Sequence, residues 1–278
     1  MKFFNFIWRK IFLIMQIKLP KYKNLSFLKI INKFSIIFHE CYENKNYDIN
    51  TNGEKFLLTQ LARSNNLNCI FDVGANRGDY SILSKHISSK SKILAFEPVL
   101  ETFEFLKSNT QNKGICTYNF AFGEEDGVSK INLYDKDSLS SMVAFQNEFL
   151  NKPFETVDVK IKTGNSFLNE NPEINEISLL KIDTEGYENK VLNGFNKFFK
   201  NINVIQFEYG LANLSSRYFL FDYFNDYSSF YKIGKLYPSG VKFFEKYDLE
   251  LENFIGPNFV MVRKDREDII KILSLKYI

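Results

Sequence analysis

Phe71-Asp72-Val73-Gly74-Ala75-Asn76-Arg77-Gly78 decides how this chain is read. It begins at the end of a short apolar run, Cys69-Ile70-Phe71, and leads into a helical pattern from Tyr80 to about Ile87. A buried strand, a glycine turn and a helix in that order open a nucleotide-binding βαβ unit. Gly74 and Gly78 let the backbone turn tightly and come close to a ligand. The helix that follows offers unpaired N–H groups and a positive dipole end, which suit an anionic group. The glycines do not have the G-x-G-x-x-G spacing of a dinucleotide site, and Asp72 would repel a pyrophosphate lying beside the loop. A cofactor carrying its own positive charge, such as S-adenosylmethionine with its ammonium and sulfonium, would be favoured by that carboxylate. Its own carboxylate could then rest against the loop amides.

The β-then-α alternation continues outward from this loop. Lys92 to Phe96, Ile115 to Phe120, Ile177 to Ile182, Val204 to Glu208 and Asn258 to Val262 read as strands. Glu54 to Arg63, Leu100 to Gln111, Lys190 to Phe199 and Phe219 to Tyr227 read as helices. Val128 to Tyr134 and Thr156 to Ile161 alternate apolar with polar residues, as half-exposed strands do. The tail from Lys264 to Ile278 reads as an amphipathic helix. This order implies an α/β fold with a mostly parallel, doubly wound sheet and helices on both faces.

Three further segments carry chemistry. In Ala95-Phe96-Glu97-Pro98, Glu97 ends the second strand about twenty residues after the glycine loop, where a carboxylate can accept bonds from both ribose hydroxyls. In the segment from Asn119 to Gly127, the loop after the third strand would edge an adenine pocket through Asn119 or Ala121; its acids also fit a solvated turn. In Leu180-Lys181-Ile182-Asp183-Thr184-Glu185-Gly186-Tyr187-Glu188, Asp183 stands at the carboxyl end of an apolar strand, the edge where open α/β sheets bind ligands. Glu185 shares that loop. Glu188 starts the next helix, where a negative charge is favourable.

Together these motifs resemble the FkbM family of methyltransferases: Asp-Val-Gly-Ala-Asn-x-Gly, then Phe-Glu-Pro, Asn-x-Ala-x-Gly and Lys-Ile-Asp-x-Glu-Gly-x-Glu. Upstream Asn52-Gly53-Glu54 and downstream Gln206-Phe207-Glu208 fit it too, so the likeness runs from about residue 50 to 263. The resemblance implies a Rossmann-like class I methyltransferase fold of seven strands with one late antiparallel strand. It implies S-adenosylmethionine as cofactor and O-methyl transfer to hydroxyls of sugars, polysaccharides or natural products. Asp72, Gly74, Asn76, Gly78 and Glu97 would bind the cofactor, with Ala75 and Pro98 in the same two loops and Asn119 and Ala121 at the base. Asp183 and Glu185 would lie at the border of cofactor and acceptor. A sugar hydroxyl is a poor nucleophile at neutral pH, so a general base is expected, Asp183 first and Glu185 second, with Glu208 lining the pocket. Those three acids could instead hold Mg²⁺, a reading not favoured here. His86 lies well along its helix, away from the strand ends, and is expected at the surface. Acceptor-pocket loops are expected at Ser138 to Lys152 and Leu211 to Ser239.

Composition bounds the rest. A net charge of +3 over 278 residues does not argue for nucleic acid. The loop after Ile182 also lacks the Pro-Pro-aromatic run common in base-amino methylation. A nicotinamide oxidoreductase and a non-catalytic scaffold of the same fold remain the competing readings. Every cofactor-contact residue type is present, which weighs against the scaffold. Cys41, Cys69 and Cys116 show no metal spacing and are odd in number, as in a reducing, cytoplasmic setting, and Cys69 and Cys116 read as buried in strands. The 30 Phe residues are read as base-composition bias. Residues 1–48 fall outside the resemblance and form a basic helical extension to a domain at 49–278. Within the first 40 residues there are eight Lys/Arg and one acid, Glu40. Arg9 and Lys10 interrupt what would otherwise resemble a signal peptide. Phe27, Ile31, Phe34 and Phe38 form one helical stripe, and Pro20 is expected to end the helix before it. The arm would either pack on protein or lie on a membrane surface.

Overall fold

The computed structural model describes residues 2–134, 140–141 and 155–276. The chain divides into two compact units, Met1–Lys45 and Asn46–Ile278. The first holds two helices, α1 (Lys2–Tyr22) and α2 (Ser26–Tyr42). Pro20 does not end α1 but sits in its last turn. Its missing N–H costs one helical bond there, with almost no helix left downstream to break.

The second unit begins with α3 (Glu54–Arg63), β1 (Cys69–Val73), α4 (Asp79–Ile87), β2 (Lys92–Phe96), α5 (Leu100–Thr110) and β3 (Ile115–Tyr118). Four strands and a helix follow: β4 (Ala121–Phe122), β5 (Gly127–Leu133), β6 (Ser140–Ser141), β7 (Glu155–Lys162) and α6 (Gly164–Glu170). Next come β8 (Ile177–Ile182), α7 (Glu188–Gly194), a 3₁₀ turn at Asn196–Asn201, β9 (Ile202–Glu208), α8 (Ala212–Ser216) and α9 (Leu220–Tyr227). The chain closes with β10 (Tyr231–Tyr237), β11 (Gly240–Phe244), β12 (Asn258–Arg263) and α10 (Glu267–Leu273).

The main sheet has eight strands in the order β11-β10-β12-β9-β8-β1-β2-β3. The run from β9 to β3 is parallel throughout. β12 enters antiparallel between β9 and β10. These seven strands are the class I arrangement with its single antiparallel strand. β11, hairpin partner of β10, extends the sheet to eight. β5 and β7 leave the main sheet and pair antiparallel in a second sheet of order β4-β7-β5-β6.

Central strands of a parallel sheet are covered on both faces, so they read as nearly continuous apolar runs. Every residue of β1 and of β8 is buried. Side chains alternate between two cores. Phe71, Val73, Leu180 and Ile182 face one, where Phe71, Phe96, Phe122, Phe167 and Phe195 pack ring against ring, Phe96 to Phe122 at 4.6 Å. Ile70, Leu179 and Val204 face the other, under α3 and α10. Much of the Phe excess therefore fills one core, where large rings also gain edge-to-face contacts. Cys69 is buried as expected, whereas Cys116 is exposed, because β3 is the edge strand of its sheet. The run Leu211 to Ser239, expected as a loop, is mostly helix and strand. It forms α8, α9 and β10, with Tyr223, Tyr227 and Tyr231 in the core. Of Ser138 to Lys152, only Ser140 and Ser141 lie within the described residues.

Candidate functional site

The parallel strands end together, and the sequence places its acids at that edge. In register across the sheet, Asp72 of β1 pairs with Lys181 of β8, and Lys181 pairs with Gln206 of β9. The three form a polar row in an otherwise apolar face. Asp72 is fully buried: Ser81 Oγ donates to its Oδ2 at 2.7 Å, and Lys181 Nζ stands 3.3 Å from its Oδ1. Tyr80 of α4 and Glu54 of α3 close over the row. Tyr80 Oη donates to Gln206 Oε1 at 3.0 Å, and Gln206 Nε2 donates to Glu54 Oε1 at 2.6 Å and to Asn258 Oδ1 at 3.0 Å. A buried polar network is tolerable only when its members are paired in this way.

Lys181, part of the Lys-Ile-Asp motif but given no role by it, joins the two halves of the site. Its ammonium lies 3.2 Å from Asp183 Oδ2 as well as 3.3 Å from Asp72 Oδ1. Burial lowers its pKa, but Asp183, Asp72 and Glu54 around it hold it above the ordinary lysine value. The only hint in the sequence was a lysine inside an apolar strand, two residues before Asp183. Asp72, read as reserved for a cationic ligand, already faces an ammonium supplied by the fold.

The glycine loop is equally engaged. Gly74 and Gly78 take positive φ, 76° and 92°, and Asn76 joins them at 48°. A Cβ on Gly74 would lie 1.8 Å from the carbonyl oxygen of Asp183, so only glycine lets the two loops touch. The N–H groups of Gly74 and Ala75 both donate to the Phe96 carbonyl at 3.0 Å, and Asn76 N–H donates to Glu97 Oε2 at 3.0 Å. These amides, expected to meet a cofactor carboxylate, instead fix the loop to the end of β2. Glu97 is buried, and its other oxygen accepts from Val99 N–H at 3.0 Å. Each carboxylate oxygen has room for a second donor. Burial pushes Glu97 up to about 7, against the pull of the two amides. The Asn119 amide donates to the carbonyls of Glu97 and Pro98 at 2.9 and 3.0 Å, tying the ribose and base loops together. Ala121 is buried in β4 beside it.

The acid-rich turn after Ala121 proves structural. Asp126 accepts from Thr163 N–H and Ser166 Oγ at the start of α6, and Glu124 pairs with Lys190 at 2.5 Å. His86 is exposed on α4, as expected.

At the end of β8 the chain turns back on itself. Glu185 and Gly186 both adopt left-handed backbone, φ 54° and 95°. For glutamate that costs of order 1 kcal/mol, and the surrounding contacts must hold it. Buried Glu188 does so. Its Oε1 accepts from Thr184 N–H and Oγ1 at 3.0 Å and from Gly186 N–H at 3.1 Å. Burial raises Glu188 to about 7. Among the described residues, Asp183, Glu185 and Glu208 are the three acids whose carboxylate oxygens lie within 4.8 Å of one another. Burial opposes ionisation of Asp183, but Lys181 and a hydrogen bond from Glu208 hold its pKa below the usual range. Burial and the Asp183 and Glu185 charges push Glu208 well above the usual range, so Glu208 keeps its proton and donates it toward Asp183. Burial and Asp183 push Glu185 up to about 8. One ionised carboxylate, steadied from behind by a lysine, thus faces two neutral carboxyls.

Comparison with known proteins bears on this edge. The family model described as the methyltransferase FkbM domain matches residues 72–231, more than half of the chain. A protein named methyltransferase 1 from Beauveria bassiana is 31% identical over 144 residues, 46% of this chain and 58% of its own length. A hexuronic acid methyltransferase, AglP, from Haloferax volcanii is 24% identical over 136 residues, 49% of this chain and 53% of its own. The chain thus spans little more than half the length of these relatives. Among solved structures, an FkbM methyltransferase from Methylobacillus flagellatus has a TM-score of 0.40 at 13% identity, covering 70% of this chain and 44% of that one.

Proposed function

This chain belongs to the FkbM methyltransferase family, and from that premise we propose that it transfers a methyl group from S-adenosylmethionine to a hydroxyl of a sugar, polysaccharide or glycosylated natural product. The observation that carries the reading is the group of Asp183, Glu185 and Glu208 at the strand ends, directly against the glycine loop.

The residues suit the cofactor's chemistry. A sulfonium and an ammonium favour an edge lined by carboxyl groups, and the spare acceptor capacity of Glu97 suits vicinal ribose hydroxyls. Gly74, Ala75, Asn76 and Gly78 would form the floor of the nucleoside pocket, and Glu97 and Pro98 its ribose side. Asn119 and Ala121 would edge the adenine, and Asp72 would act from beneath through Lys181. When bound, S-adenosylmethionine supplies an electrophilic methyl group. The chain's own work is to align an acceptor oxygen and receive its proton, which is largely positioning catalysis. Asp183 is ionised, partly exposed and oriented by Lys181, so it is the general base. Glu185, neutral at pH 7, is placed to hydrogen-bond a neighbouring acceptor oxygen. Its raised pKa makes it the second choice for the base. The name of the Haloferax volcanii relative supports a sugar acceptor. A divalent metal is not favoured, because the Lys181 ammonium already lies against Asp183.

Transfer of labelled methyl to a panel of glycan acceptors tests the reading. Asp183→Ala should keep S-adenosylhomocysteine binding while turnover falls by roughly 10²–10⁴, the usual cost of a lost acid or base. Unchanged turnover would remove Asp183 from the role, and activity lost to a chelator and restored by Mg²⁺ would replace it with a metal.

A further inference from the structure

The Met1–Lys45 unit presents a surface that the methyltransferase reading does not use. Successive residues of a helix are separated by about 100°. On α2 this brings Phe27, Ile30, Ile31, Phe34, Ile37 and Phe38 onto one continuous stripe, with Lys29, Asn32 and Lys33 on the other side. In a folded protein such a stripe normally faces a core. Here Phe27 is 70%, Phe34 74% and Phe38 67% exposed, and α2 has no buried residue. Isolated exposed apolar side chains are ordinary, but a contiguous stripe of large ones marks an interaction surface.

Charge selects the occupant. The first 40 residues carry eight Lys/Arg against the single acid Glu40, while the whole chain is only +3. Lys18, Lys21 and Lys23 precede the stripe, and Lys29 and Lys33 stand on the polar side of the same helix. A second copy seated on the stripe would bring two such basic arms together, and like charges at an interface repel. An anionic lipid surface meets both features. Its acyl boundary takes the Phe and Ile side chains, and its phosphates take the lysines, whose long stems can reach past the apolar face. Among the described residues no helix is long and apolar enough to cross a membrane, so the fitting geometry is a helix lying in the interface.

We propose that α2 is a membrane-docking helix, inserting its Phe27–Phe38 stripe into the headgroup boundary of an anionic bilayer. The stripe shares no residue with the cofactor site, and its test needs no acceptor.

The experiment is co-sedimentation of the full chain with vesicles of phosphatidylcholine, alone or mixed with phosphatidylglycerol, with solution mass measured in parallel. The full chain should pellet with the anionic vesicles, remain largely in solution with the neutral ones, and release as salt is raised. Phe34→Asp with Phe38→Asp should abolish pelleting. Both side chains are exposed, so the fold and S-adenosylhomocysteine binding should be untouched. Lys29→Glu with Lys33→Glu should weaken binding by at least about tenfold. Failure of the full chain to pellet, or equal pelleting of the Phe variant, would overturn the proposal. So would a dimer that the Phe variant dissociates without vesicle binding, which would assign the stripe to a second copy. Retained S-adenosylhomocysteine binding in any of these cases would leave the enzymatic reading standing.

Discussion

The two faces of the main sheet both carry apolar cores but differ near the strand ends. On one, Phe71, Phe96, Phe122, Phe167 and Phe195 interlock with Leu180 and Ile182. On the other, near the same strand ends, Asp72, Lys181 and Gln206 run side by side beneath Tyr80 and Glu54. The aromatic face holds the fold by area and shape, which tolerate modest change. The other face is mostly apolar too, but its polar row depends on pairing, where loss of one member strands the others. The chain accepts that fragility where the row sets Asp183.

Breaking the polar row should give the largest effect. Lys181→Met leaves Asp72 buried without its countercharge and should lower stability by about 3–5 kcal/mol, read as a shift in the urea midpoint. A conservative change on the other face, Phe122→Leu, should cost only about 1 kcal/mol. Equal losses would show that the two faces do not differ in the way described.

A subtler difference is the response to pH. Burial raises Glu97 and Glu188 to about 7, well above their values in an unfolded chain. Between the ordinary glutamate range and about pH 7 the folded state therefore holds protons that the unfolded state has released. Stability is fully present below that window and falls as pH rises through it. The ligand-free protein should melt at a higher temperature near pH 5.5 than near pH 8. Glu188→Gln keeps an acceptor for Thr184 and Gly186 but cannot ionise, so it should flatten part of that slope. A melting temperature that rises across the window would contradict the assigned burial.

Much of this was legible in the sequence, and the exceptions share a cause. β1, β2, β8 and β9 announce themselves because strands covered on both faces read as nearly continuous apolar runs. Gly74 and Gly78 announce the turn because no other residue fits it. Lys181 does not announce itself: its meaning depends on β8 lying beside β1, which no local pattern encodes. The same holds for the loop amides. Gly74 and Ala75 bond to Phe96 because the end of β2 comes to lie under the loop. β10 and β11 were missed because Gly234 interrupts the first and a two-residue turn, Pro238-Ser239, separates them, so the run reads as loop. The roles of Asp126 and Glu188 as caps and clamps likewise rest on partners brought near by the fold.

The central claim is that the edge formed by Gly74, Glu97 and Asp183 receives S-adenosylmethionine. Calorimetric titration of the purified full chain with S-adenosylhomocysteine, with NAD as control, addresses it most directly. Saturable binding of S-adenosylhomocysteine and no heat from NAD are expected. Binding of NAD in its place, or of neither by a folded sample, would contradict it.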